Sequence, residues 1–146
     1  MRPSRDRVNL DIAKTVSERA TCFRRKVGCV LVNSKGHILS TGYNGVAAGL
    51  QHCEGKHKCK GSDSPSGTDL DKCEAVHAEQ NALLQCKDVY EIDVCYTTTQ
   101  PCIHCIKLLL NTSCRIIVFS EAYHHKDAER LWREAGRSMR NITFRD

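Results

Sequence analysis

The chain has 146 residues, 40% of them hydrophobic, with 22 Lys and Arg against 17 Asp and Glu for a formal charge of +5, which suits one domain burying roughly two-thirds of its unfolded surface. No apolar run approaches the roughly 20 residues that span a bilayer, and "MRPSRDRVNLDI" lacks the apolar core of a secretion signal, so a soluble, cytoplasmic protein without a membrane partner is expected. The mild, dispersed positive charge favours a phosphate-bearing ligand over nucleic acid, which calls for a clustered basic stripe, and ten cysteines set among histidines point to metal ligation before disulfides.

Val8, Ile12, Val16 and Ala20 recur every four positions and predict an amphipathic helix with one buried stripe. "VGCVLV" (27–32) and "HILSTGYN" (37–44), joined by "NSKG", predict a hairpin. "GYNG" (42–45) has the composition of a turn, with Gly and Asn suited to positive φ. From 45 to 73, glycines, cysteines and polar residues replace any core-facing pattern. So long a loop in a compact domain needs a task, or a support other than a core. Beyond it, "HAEQNALLQC" reads as a helix and "DVCYTT" as a strand. "CIHCIKLLLN" follows as a helix with Pro101 near its first turn, and "RIIVFS" as a strand. "KDAERLWREAG" is a helix closed by Gly136, and "NITF" a last strand. The alternation predicts one α/β layered domain over residues 1–146 whose later strands are parallel.

The chemistry concentrates in two helix starts. Cys102 and Cys105 lie three apart at the beginning of a predicted helix, so both sulfurs project from one side of its first turn. The helix dipole and free N–H groups there favour thiolate, the form a metal needs. Two such sulfurs and the imidazole of His77 would make a three-ligand zinc site with its fourth position left for water, the arrangement of a catalytic site. His77 and Glu79 can converge only if both lie in the first turn of their helix. The polar loop does stop immediately before them. Glu79 is then a proton carrier beside the metal and not a ligand. Taken singly, the His–Glu pair reads as a cap or surface pair, and C-x-x-C as redox motif, structural zinc or chance. Together, H-A-E followed by P-C-x-x-C is a signature of zinc nucleobase deaminases.

With these motifs the chain resembles the cytidine and deoxycytidylate (dCMP) deaminase superfamily, and the dCMP branch in particular. "TCFRRKVGCVLV", "ILSTGYNG", "HCEG", "CEAVHAEQNALLQC", "YTTTQPCIHCIKLL", "RIIVFSEAY" and "LWREAG" are similar to that family's blocks, in order. The resemblance implies a cytidine deaminase-like three-layer α/β/α fold with a mixed five-stranded sheet. It implies removal of the 4-amino group of dCMP to give dUMP and ammonia, feeding thymidylate synthesis. Glu79 would move protons to ring N3 and to the departing amine. The N–H of Ala78 would hold the cytosine O2, and the carbonyl of Thr99 would lie near the amino group. Asn44 would meet the sugar and Tyr123 would lie near the phosphate. The segment Gly42, Tyr43, Asn44 and Gly45 would border a magnesium-assisted effector site where dCTP activates and dTTP inhibits. Ala47 stands where the family usually has proline, which bears on the effector response more than on catalysis. Homohexamers are common in this branch.

The resemblance also implies that the counterparts of Cys22, Cys53, Cys59 and Cys73 lie close together, where some dCMP deaminases carry a second, structural zinc, with His57 able to replace one ligand. Four thiolates would hold a loop with too few apolar residues to fold by burial; the plainer alternative is a set of small buried or free thiols. Cys29, Cys86, Cys95 and Cys114 fall in predicted strands and helices and read mostly as core. Arg24, Arg25 and Lys26 form a basic cluster at the end of the first helix, suited either to a 5′-phosphate or to a solvated helix end. Competing functions are deamination of another cytosine nucleotide or nucleoside, or of a tRNA base. The last is disfavoured by one Trp, three Phe and four Tyr, few platforms for stacking a polynucleotide. A zinc-binding module without catalysis would have no use for Glu79.

Overall fold

The computed structural model describes residues 1–21, 25–50, 75–123 and 125–143. Helix α1 (Arg5–Ser17) starts where the Ser4 hydroxyl accepts from the Arg7 N–H at 3.1 Å, satisfying one of the orphan donors of a helix start. Its buried residues are Asn9, Leu10, Ala13 and Ser17, not the expected stripe, whose Val8 is 41% exposed. The reason lies in the sheet. A Cβ at Gly28 would collide with the Ala13 carbonyl and the Ser17 backbone, so α1 presents its smallest side chains where backbones touch. The helix also ends at Ser17, well before the basic cluster, of which Arg25 and Lys26 belong instead to the approach to the first strand, which begins at Gly28.

The main sheet has five strands in the order β2-β1-β5-β6-β7. These are β1 (Gly28–Val32), β2 (Ile38–Tyr43), β5 (Val94–Thr99), β6 (Ile116–Glu121) and β7 (Ser138–Asn141). β1 pairs antiparallel with β2 and β5, whereas β5–β6 and β6–β7 are parallel, so the sheet is mixed. The β1–β2 turn forms as expected, with Gly36 at φ 84° and the Asn33 side chain accepting from the Lys35 and His37 N–H groups. β7 precedes the expected "NITF" strand, because Gly136 at φ 79° reverses the chain at once. Pairing therefore begins at Ser138, opposite Ile116.

Side-chain alternation along the strands divides the core in two. Val30, Val32, Val94, Tyr96 and Val118 pack with Leu10 and Ala13 of α1. Cys29, Leu31, Cys95, Ile117 and Phe119 face helices α2 (Ala78–Gln85), α3 (Ile103–Leu110) and α4 (Lys126–Glu134). This gives the three-layer α/β/α arrangement. Two further short strands, β3 (Gly45–Val46) and β4 (Ala75–Val76), pair antiparallel. The long loop thus begins with a strand, and its two ends are pinned together through a partner far along the chain. No helix among the described residues is long and apolar enough to cross a membrane.

Candidate metal centre

"GYNG" is not a turn. Gly42 lies within β2 and Gly45 opens β3, and neither is among the glycines with positive φ. A Cβ at Gly42 would meet the Ala78 carbonyl and the Ala82 N–H, and one at Gly45 would lie 2.6 Å from the Thr21 hydroxyl oxygen. Gly42 therefore lets α2 lie on the sheet with its backbone almost in contact. Two polar bonds hold it there: Ser40 Oγ donates to the Ala82 carbonyl at 2.8 Å, and Asn81 Nδ2 donates to the Tyr43 carbonyl at 2.8 Å.

His77 is the N-cap of α2, extended at φ −70° and ψ 154°, and its N–H donates to Gln80 Oε1 at 2.8 Å. Ala78 and Glu79 follow as the first two helical residues, so the Ala78 N–H is one of the donors that a helix start leaves without an intrahelical partner. Cys102 is the N-cap of α3 and Cys105 lies in its first turn. The two helix starts meet. His77 Nδ1 is 3.2 Å from Cys105 Sγ and 3.5 Å from Cys102 Sγ, and the three ligand atoms lie within 4.8 Å of one another. Bonds of about 2.0–2.1 Å to nitrogen and about 2.3 Å to sulfur around a tetrahedral ion require N···S edges of about 3.5 Å. The residues therefore fit zinc by donor chemistry and by spacing.

Electrostatics agree with that assignment. The Cys105 thiol, hydrogen-bonded to it, draws the Cys102 thiol down to about 3 against the effect of burial, with His77 adding to the fall. The same contact, together with burial, pushes Cys105 well above the ordinary thiol range. A zinc ion held there would take both sulfurs as thiolates. Glu79 is 4% exposed. Burial raises its carboxyl above the usual range, opposed by His77 and reinforced by Cys102. A carboxyl so placed holds a proton more readily than one in water.

Thr99 ends β5, and Gln100 and Pro101 carry the chain from it to Cys102. The Thr99 carbonyl accepts from Thr97 Oγ1 at 3.0 Å. Asn44 is buried, and both ends of its amide meet backbone: Oδ1 accepts from the Val27 N–H at 2.7 Å and Nδ2 donates to the Arg25 carbonyl at 2.5 Å. Arg25 Nη2 lies 4.0 Å from a Glu121 carboxylate oxygen, and Lys26 is exposed. Tyr123 stacks on His125, with ring centroids 6.4 Å apart and planes 9° from parallel. Cys29, Cys95 and Cys114 are fully buried free thiols, Cys86 is half-buried and free, and the Cys29 and Cys95 sulfurs are 3.6 Å apart. Cys22, Arg24, Cys53, His57, Cys59 and Cys73 lie outside the described residues. A depression of about 520 Å³ between Asn33, His37, Tyr90 and Asp93 sits at the opposite end of β5 from Thr99 and Cys102.

Two residues that the sequence patterns do not single out support the site, Gln100 and Arg137, and Gly42, expected in a turn, serves it instead by admitting α2. Arg137 donates to the carbonyls of Leu109, Leu110 and Cys114 while lying 5.1 Å over the Trp132 ring, closing the C-terminal end of the helix whose start carries Cys102 and Cys105. A basic residue just after the Gly136 stop is visible in the sequence, but its partners are not.

The fold and site define a class: an α/β/α protein whose mixed sheet carries a three-ligand metal centre with a buried carboxylate beside it. Residues 3–121 match the family described as the cytidine and deoxycytidylate deaminase zinc-binding region, and the chain belongs to that family. It is 33% identical, over 99% of its length, to deoxycytidylate deaminase of Saccharomyces cerevisiae, of which it covers 46%. It is 35% identical, over 81% of its length, to the deoxycytidylate deaminase of Mycobacterium phage D29, of which it covers 95%. The chain thus spans less than half the length of the yeast relatives it matches. The fold is shared with dCMP deaminase of cyanophage S-TIM5 in complex with dCMP and dUMP, at a TM-score of 0.74 and 24% identity over 97% of this chain and 99% of that one.

Proposed function

We propose that the chain catalyses the hydrolytic deamination of dCMP to dUMP and ammonia, feeding thymidylate synthesis. The observation that carries this reading is the buried Glu79 carboxyl set beside the converged His77, Cys102 and Cys105. Zinc held by those three side chains supplies a Lewis acid that lowers the pKa of a bound water to about 7. Glu79 takes the proton released as the water oxygen bonds to C4 of the cytosine, and passes it to N3. It then carries the proton of the new C4 hydroxyl to the amino nitrogen, so that the C4–N bond breaks, ammonia leaves and the C4 oxygen becomes a carbonyl. The Ala78 N–H, free at its helix start, holds the cytosine O2, and the Thr99 carbonyl receives the amino group. Arg25, Lys26 and Tyr123 serve the phosphate end, and Asn44 the sugar.

The test is ammonia release by the zinc-loaded protein from dCMP, deoxycytidine, dCTP and a tRNA anticodon stem. Turnover is expected with dCMP foremost; activity confined to the RNA would reassign the substrate. The same reading extends to a second zinc held by Cys22, Cys53, Cys59 and Cys73, with His57 as the alternative ligand, in a loop whose ends β3 and β4 hold together. Metal analysis should then find about two zinc ions per chain. Activation by dCTP with magnesium, inhibition by dTTP and a homohexamer complete the proposal. They are checked by adding the nucleotides to the same assay and by measuring the mass of the particle in solution.

A further inference from the structure

A buried amide outside the metal centre ties the loop that leads to Cys102 to the end of β6, to α4 and to β7. Gln100 lies between Thr99 and Cys102 and is 9% exposed. Its backbone N–H donates to the Glu121 carbonyl at 2.9 Å, and its side-chain Oε1 accepts from the Tyr123 N–H at 3.0 Å. On the other side Nε2 donates to Glu129 Oε1 of α4 at 3.2 Å and to Met139 Sδ of β7 at 3.1 Å. A buried amide is costly unless its donors and acceptor find partners. Here each one does.

Two of these bonds fall on the same short stretch, 121–123, which leaves the C-terminal end of β6. The neighbouring C-terminal end of β5 feeds the loop that carries Cys102. In open α/β sheets the crevice outside such strand ends is where ligands lie. The stretch also carries Glu121, paired with Arg25, and Tyr123, stacked on His125. One side chain therefore sets where the polar and aromatic groups of this wall stand relative to the metal loop.

We propose that Gln100 is a positioning residue for substrate recognition: it fixes the 121–123 wall against the Cys102 loop, and so governs how tightly the nucleotide is gripped without taking part in the bond changes at the base. This rests on the deaminase reading above. Replacing Gln100 by Met keeps the volume and removes the clamp. The KM for dCMP should rise about tenfold with kcat changed less than about threefold, as for an interaction equal in ground and transition states. Zinc content should not change. Gln100→Glu should fail in the same way, since a carboxylate then faces Glu129. Combining it with Glu129→Gln exchanges donor and acceptor, and should restore KM, because a carboxylate at 100 accepts from both the Tyr123 N–H and the new amide.

Hydrogen exchange at the Tyr123 amide, read by NMR, gives an arm independent of turnover: about tenfold faster in Gln100→Met and slow again in the double variant. Unchanged exchange and KM in Gln100→Met, or a loss confined to kcat and zinc content, would overturn the proposal. A wild-type protein inert toward dCMP would instead sink the deaminase reading, while the exchange measurement still decides the clamp.

Discussion

On one face of the sheet Gly28 admits α1; on the other Gly42 admits α2. The device is the same, a missing side chain that lets helix backbone rest on strand backbone, yet the layers it completes are unlike. Under α1 the sheet offers Val30, Val32, Val94 and Val118, and the polar tip of Tyr96 escapes to Asp6 at 2.8 Å. Under α2 the close approach carries Glu79 into the interior beside three metal-binding side chains. One face provides stability; the other gives part of it up to hold a carboxylate where water cannot solvate it.

The contrast can be broken most sharply at Glu79. Glu79→Gln should lower deamination by on the order of a thousandfold, since positioned acid–base groups contribute 10² to 10⁴. Its melting temperature should equal or exceed that of the wild type, because a buried ionisable group is gone. Zinc analysis, melting curves and ammonia release together check this, and near-normal turnover would mean another group moves the proton. On the opposite face Leu10→Ala should do the reverse. It should cost about 2–5 kcal/mol of stability, as for other buried Leu truncations, while kcat per folded molecule in urea-titrated samples stays constant.

The glycines sharpen the comparison further. Gly28→Ala and Gly42→Ala should each cost about 1–3 kcal/mol by overpacking, but only Gly42→Ala should also depress kcat, since it lifts the helix that carries His77 and Glu79. Equal kinetics in the two variants would show that the close approach of α2 does not position the site.

The smallest effect belongs to Tyr96. Burial first, and the bond to Asp6 second, raise its phenol to about 12 from an ordinary 10.0. Between those values the folded chain keeps a proton that the unfolded chain releases, so stability falls as pH rises through that window. The advantage of wild type over Tyr96→Phe, about 1 kcal/mol for one hydrogen bond, should be constant below pH 10 and shrink toward pH 12. Denaturant titrations across that range decide it; a flat difference would mean the phenol is no harder to ionise when folded.

What could be read before folding was whatever is local. Helix starts at Ala78 and Ile103 follow from the end of a polar loop and from Pro101, and each brings its ligand to a first turn. Central strands show as β-branched runs. The misjudged features depend on distant partners. The buried face of α1 is chosen by Gly28, "GYNG" is extended because α2 and Thr21 press on it, and β3 exists only because Ala75–Val76 pairs with it. Gln100 looks like a spacer until β6, α4 and β7 surround it. The convergence of His77 with the two cysteines is equally remote in sequence, and it was legible through motif resemblance, not through periodicity.

The alternation along β5 has a consequence for errors during folding. Cys95 packs with the α2–α4 face, while Val94 and Tyr96 pack with α1. A pairing slip of one residue would exchange these sets, thrusting a tyrosine ring under the carboxylate at 79 and drawing the thiol at 95 away from the one at 29. Such a misaligned chain could neither close its layers nor assemble the ligand triad, so any molecule able to capture the ion has already proofread its central strand.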